Sequence, residues 1–223
     1  FRKTKASLSS SLEGKRSDSP VGSIRLLLLN PSFWVLLFYF MVPSLPGWGV
    51  KNWLPTLFAE NLHIDMKVAG PLSTITIALS SFLGVLLGGI LSDRWVKFNL
   101  RGRVYTSAIG LFLTVPSLVF IGLGHHLIFV LAAACCFGIG YGMFDANNMP
   151  ILCQLVPENR RATGYGLMNM MGVFAGAFIT DLLGKSTDAG HLGRDFSIMG
   201  AVVLVAIAVQ LIVLRPKMQN FTD

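Results

Sequence analysis

Charge is scarce in this sequence. Only 13% of its 223 residues are Asp, Glu, Lys or Arg, about half the share of an ordinary soluble domain. That excludes one large water-facing surface wrapped round one core. Cysteine is nearly absent: Cys135, Cys136 and Cys153 are the full complement. All three lie in or near one apolar run, with neither metal-ligand spacing nor a disulfide framework, so they read as small packing residues. Histidine is confined to His63, His125, His126 and His191, all at connectors or edges, where exposed bystanders are the simpler reading than pH sensors. No glycine-rich loop of the phosphate-cradling type occurs, which argues against direct coupling to ATP. No signal peptide is visible either.

What the sequence has in quantity is apolar length. Hydrophobic residues make up 53% of the chain, and mean hydropathy is +0.64. The apolar runs are roughly 19 to 25 residues long, the thickness of a bilayer. Six are expected, at about 32–58, 68–91, 104–124, 127–156, 162–184 and 196–214. The first is interrupted by Pro43, Pro46, Gly47 and Gly49. This density of helix breakers predicts a discontinuous helix with Lys51 and Asn52 in its second half. Residues 21–30 are too short to cross and are expected as a helix on the cytoplasmic surface. Residues 1–30 as a whole are basic and Ser-rich, like an interior loop whose upstream chain is missing, and 218–223 form a short tail.

The net charge of +7 does not indicate nucleic acid, because the basic residues sit between apolar runs. Arg2, Lys3, Lys5, Lys15, Arg16, Arg25, Arg94, Lys97, Arg101, Arg103, Arg160, Arg161, Arg215 and Lys217 fall on one set of connectors. Lys51, Lys67, Lys185 and Arg194 fall on the other. Basic connectors stay in the cytoplasm, so an even number of spans with both ends cytoplasmic is expected, in an inner (plasma) membrane.

The most informative polar residues lie within the fourth run, GIGYGMFDANNMP. Tyr141, Asp145 and Asn148 follow i, i+4, i+7 spacing and share a helix face. An ionisable residue inside a membrane helix costs a few kcal/mol at least, so it tends to face a cavity or a partner. Asp145 stands about twelve residues, roughly 18 Å, before the following loop. The functional reading makes it a titrating or cation-binding group, with Asn147 and Asn148 as solute ligands. The plainer one pairs Asp145 with a loop arginine. Lys51 either attracts an anion or snorkels to the nearby interface, flanked by Trp48 and Asn52. Asn169, one turn from Tyr165, either meets solute or bonds across helices as ordinary glue. Asp181 reads as interfacial. Ser80, Gly84 and Gly88, like Gly172 and Gly176, recur every four residues, a spacing that lets helices pack closely. The triplet Gly140-Tyr141-Gly142 lacks the context of an ion filter.

Between the second and third runs lies GGILSDRWVKFNLRGR. Gly88 and Gly89 would let the helix end approach a neighbour, and Asp93 would cap a helix or pair with Arg94 or Arg103. This loop resembles the signature of the major facilitator superfamily, carried by Gly89, Asp93, Arg94, Gly102 and Arg103, although seven residues rather than one separate Arg94 from Gly102. GVKNWLPTLFAENL and VPENRRATGYGLMN are similar to segments of its organic-anion and sugar-phosphate branches. The resemblance implies an all-α membrane fold, six helices as a 3+3 inverted repeat, forming the carboxy-terminal half of a twelve-helix protein. It implies a missing amino-terminal half as partner, the lipid bilayer as surroundings, and alternating access around a midplane solute site. The implied activity is secondary transport of a sugar acid, organic anion or sugar, driven by an ion gradient, protons foremost, with no other cofactor. In that family a phosphate-ester substrate goes with an arginine that aligns with Gly47, which argues against such a substrate here. Rival readings are a self-contained six-helix channel and an intramembrane enzyme. The enzyme would need a Ser-His pair or paired aspartates at depth.

Overall fold

The computed structural model describes residues 20–213, so residues 1–19, the tail beyond 213 and the expectations made for them lie outside the described residues. A short helix α1 (Pro20–Leu28) precedes six long ones: α2 (Pro31–Leu62), α3 (Met66–Val96), α4 (Gly102–Leu123), α5 (Leu127–Leu155), α6 (Arg161–Asp188) and α7 (Leu192–Val213). All six long helices are long and apolar enough to cross a membrane. The chain is thus an all-α, six-span bundle, a multi-pass membrane protein. Most helices overrun the expected apolar stretches by several residues. Backbone hydrogen bonding does not stop where hydrocarbon stops, and capping residues fix two of the helix starts. Asn30 accepts from the Ser32 amide at 3.0 Å with Pro31 in the first helical position. Asp65 accepts from the Lys67 amide at 2.8 Å, and His63, at φ 52°, ends α2.

The expected break in the first span is not there. α2 is one helix of 32 residues with Pro43, Pro46 and Pro55 inside it. Each proline removes one donor, yet the residues between keep their own bonds, and in apolar surroundings a full break would strand several backbone groups at once. The neighbours also hold the segment: Gly47 lies against the Tyr141 ring and Gly49 against Leu183 and Met199.

The seam between α3 and α5 is a close one, and the small-residue repeat accounts for it. Gly84 and Gly88 press on the backbone of Ile139 and Met143, while Gly138 and Gly142 press on Ser80, Ser81 and Val85. Gly89 behaves otherwise. A side chain there would meet nothing within 4 Å, so of the glycine pair at this helix end only Gly88 serves a close approach among the described residues. Gly172 and Gly176 receive the rings of Phe40 and Trp48 from α2. Polar ties fasten α4 to α7 and to α2. Gln210 donates to the Val104 carbonyl at 2.9 Å, and Asn61 to the Gly122 carbonyl at 3.3 Å. The Tyr39 hydroxyl and Ser107 share a buried bond of 2.7 Å.

In the α3–α4 connector Asp93 pairs with Arg103 at 2.8 Å rather than with Arg94. Gly102 lets α4 start against the backbone of Trp95, 2.7 Å from where a Cβ would sit. The Asp93 side chain is 66% exposed, and such pairs are worth about 1 kcal/mol or less. Asp93→Asn is therefore expected to leave the thermal midpoint of the purified full-length protein nearly unchanged. A drop of many degrees would show that the pair carries structural weight.

Candidate functional site

Two adjoining cavities open on one side of α2. The first, of about 320 Å³, lies between α2, α3 and α5. Its walls are mostly apolar (Val50, Leu54, Ile77, Val85, Phe137), with Lys51 and Asp145 as its charged groups. The second, of about 260 Å³, lies between α2, α5 and α6. It has aromatic walls in Phe40, Trp48 and Tyr141, and polar groups in Ser44, Lys51 and Asn169. Gly47, Lys51 and Tyr141 line both. Tyr141 stands as the partition, stacked on Phe137 with ring centroids 5.8 Å apart and planes 11° from parallel.

Helical spacing produces this arrangement. Phe40, Ser44, Gly47 and Lys51 fall at i, i+4, i+7, i+11 and form one stripe down α2. Tyr141 and Asp145 are one turn apart on α5 and face that stripe. Both charges lie well inside their helices, exposed on the open side of the bundle. α2 runs eleven residues beyond Lys51 and α5 ten beyond Asp145, or about 15 Å of helix in each case. Lys51 does not reach for the helix end. Its Nζ lies back over the Trp48 ring, 4.8 Å from the centroid, a distance at which a cation is attracted by the ring face. Trp48 is itself seated on Gly176.

The cavities take up Asp145, Tyr141, Lys51, Trp48 and Asn169, but not every expected residue. Asn52 points to α6, where its amide donates to Thr180 Oγ1 at 2.9 Å. Asn147 is fully buried, and its amide donates to its own helix at the Met143 carbonyl, 2.8 Å away. Asn148 lies behind Asp145 rather than on a cavity wall. Its Nδ2 donates to Asp145 Oδ1 at 3.1 Å, so it orients the carboxylate. Asn169 lines the second cavity while donating to the Tyr165 carbonyl at 3.0 Å, which leaves its amide oxygen as the group to offer a solute. Among the described residues Asp145 enters no ion pair, with a loop arginine or otherwise, and no cluster of His, Cys, Asp or Glu is placed to hold a metal. Phe40, Ser44 and Phe137 were not singled out in the sequence. The signal that could have found the first two was the stripe ending at Lys51. Phe137, one turn before Tyr141, carried none apart from that spacing.

The descriptive family model "Major Facilitator Superfamily" matches residues 1–180. Among curated proteins the chain is 26% identical over 195 residues to the membrane sensor protein UhpC of Escherichia coli strain K12, covering 86% of this chain and 42% of that protein. It is 26% identical, also over 195 residues, to the probable nitrate transporter NarT of Staphylococcus aureus strain JH9, covering 82% and 46%. The chain thus spans less than half the length of these relatives. Among solved structures it is similar in fold to a peptide transporter POT in complex with alafosfalin, with TM-score 0.71 and 14% identity over 84% of this chain and 39% of that one. It also resembles the D-xylose-proton symporter, with TM-score 0.55 and 20% identity over 88% and 48%. With six spans, the Asp93–Arg103 connector and this match in hand, the chain belongs to the major facilitator superfamily.

Proposed function

We propose that this chain forms one six-helix half of a secondary transporter that moves a small organic anion, a sugar acid foremost, together with a proton by alternating access. The observation that carries the reading is that, among the described residues, one lysine and one carboxylate, each in the middle of an apolar spanning helix, stand on the walls of one cavity. Charges at such depth are costly and are retained where they meet a solute or an ion. The second cavity suits a sugar acid. Aromatic faces take the ring, Ser44 and Asn169 offer hydrogen bonds to hydroxyls, and Lys51 offers a positive charge to the carboxylate. Gly47 leaves no room for a longer side chain, since a Cβ there would come 2.7 Å from Tyr141 Cε2. An arginine for a phosphate ester has no place at that position. A second six-helix half would close the open side of the cavities. The alternation of basic connectors supports an inner-membrane location with both ends of this segment cytoplasmic.

Similarity to a membrane sensor protein supports a second reading, in which the same site binds a solute without translocating it. Counterflow in proteoliposomes separates the two, using full-length protein, D-gluconate, D-glucuronate and their neutral parent sugars, with external pH varied. Saturable counterflow of an acid, strongest at low pH and not competed by the neutral sugars, is the expected result. Binding without counterflow would favour the sensor. Counterflow of neutral sugars unaffected by the acids would sink the anion reading.

A further inference from the structure

A sugar acid seated in the second cavity leaves the first without an occupant. The first is the larger, about 320 Å³ against 260 Å³, and its walls are of another kind. Val50, Leu54, Ile77, Ala78, Val85 and Phe137 give it a mostly hydrocarbon lining. Of its hydroxyls, that of Ser73 is already spent on its own helix, donating to the Gly70 carbonyl at 3.0 Å. A sugar ring placed against these walls would leave most of its own hydroxyls without partners, which is costly for each of them. An apolar group placed there is favoured, because it covers hydrocarbon that water would otherwise meet. We infer that the first cavity is a subsite for an apolar arm of the solute, and that the solute is a sugar acid carrying an aryl aglycone. The sugar ring lies in the second cavity, the carboxylate at Lys51, and the aglycone between α2, α3 and α5. This names the solute class of the site proposed above and rests on that reading for the ring and the carboxylate.

The space is sufficient. An apolar cavity of about 150 Å³ is enough to take a benzene, and the first cavity has about twice that. The two cavities are also continuous along α2. Gly47, Lys51 and Tyr141 line both, so one molecule lying across this boundary reaches both sets of walls and keeps its charge beside the lysine. The chemistry of an aryl β-glucuronide matches that order. Its carboxylate and its glycosidic oxygen are attached to the two ring carbons that flank the ring oxygen, so both leave from one edge of the sugar. With the carboxylate at the boundary, the aglycone is directed to the first cavity while the hydroxyl-bearing edge stays with Ser44 and Asn169. Aromatic company waits on the other side, since Phe137 and Tyr141 stack nearly parallel there, 5.8 Å between centroids. Asp145 on the same wall suits this occupant too, because the hydrogens at the edge of an aryl ring carry partial positive charge. The smallest side chain on the α3 wall is that of Ala78, which is exposed in this structure. A larger side chain there fills the cavity without having to displace a packed neighbour.

Calorimetric titration of the full-length protein tests the assignment, with D-glucuronate, methyl β-D-glucuronide, phenyl β-D-glucuronide and phenylacetate as ligands. Phenyl β-D-glucuronide is expected to bind about tenfold or more tighter than the methyl compound, from the extra apolar area covered. In Ala78→Phe that ratio is expected to fall to about one, and in the milder Ala78→Val to an intermediate value. Damage to the fold would weaken both glucuronides and leave their ratio alone, so the ratio reads the subsite itself. Equal affinity for the two glucuronides in the parent, or an undiminished ratio in both variants, overturns the subsite. Binding of D-glucuronate without any aryl gain would remove the subsite and leave the sugar-acid reading standing. Binding of phenylacetate that weakens in Ala78→Val, with no binding of any sugar acid, would remove that reading and keep the subsite. Absence of binding by all four ligands overturns both.

Discussion

Asp145→Asn is expected to abolish accumulation driven by a proton gradient while counterflow continues. A one-proton symport converts a gradient of one pH unit into about a tenfold accumulation, the equivalent of about 1.4 kcal/mol. Asparagine mimics the protonated acid in shape and neutrality and cannot release a proton on the far side. Lys51 still lines the second cavity, and the solute binds and exchanges without a driving force. The pH dependence follows with a definite sign. In the parent, binding of the anion is strongest when Asp145 carries its proton and weakens as pH rises through its titration. In D145N that dependence disappears. Uptake into proteoliposomes of full-length protein, with and without an imposed gradient, measures both. Retained accumulation in D145N would mean that the proton is carried elsewhere.

The second large effect is structural. Gly142→Leu is expected to prevent assembly of the bundle. A Cβ at this position would stand 2.9 Å from the Val85 amide nitrogen and 3.1 Å from the Gly84 carbonyl carbon. These are backbone atoms of a packed helix and cannot swing aside as a side chain would. Overpacking of a core ordinarily costs about 1–3 kcal/mol, and here the cost falls on a close helix seam and next to Tyr141. The expected readout is loss of a monodisperse peak in detergent. Gly70→Ala is the matched control. Nothing lies within 4 Å of a side chain there, and alanine in a helix is favoured by about 0.5–1 kcal/mol over glycine. If G142L purified with an unchanged thermal midpoint, the account of the α3–α5 seam would be wrong.

These cases show how far local pattern reaches. The small residues at 80, 84 and 88 announced a close seam, because four-residue spacing puts them on one line down the helix. Their partners, Gly138 and Gly142, share that four-residue spacing, but which small-residue faces would meet was chosen by the register between two helices. The prolines of α2 misled for a related reason. Helix propensity counts the bond each proline removes, whereas the bundle weighs that against stranding a whole stretch of backbone. Lys51 and Asp145 stood out as costly residues within apolar runs. Asn147 and Asn148 stood out equally, yet one bonds to its own helix and the other braces Asp145 from behind. A shared block of polar letters spans more than a full face of a helix, so proximity along the chain did not place all of them on the cavity.

Taken alone, the sequence determined the number of spans, their apolar character and the few residues too expensive to bury without purpose. It did so because bilayer thickness and the cost of charge are read one helix at a time. Only the tertiary structure decided that Lys51 lies over Trp48, that Tyr141 divides two cavities, and that α2 runs unbroken past both. Those outcomes depend on how six helices rotate and settle against one another, and packing of that kind is a property of pairs of surfaces that no single stretch of chain contains.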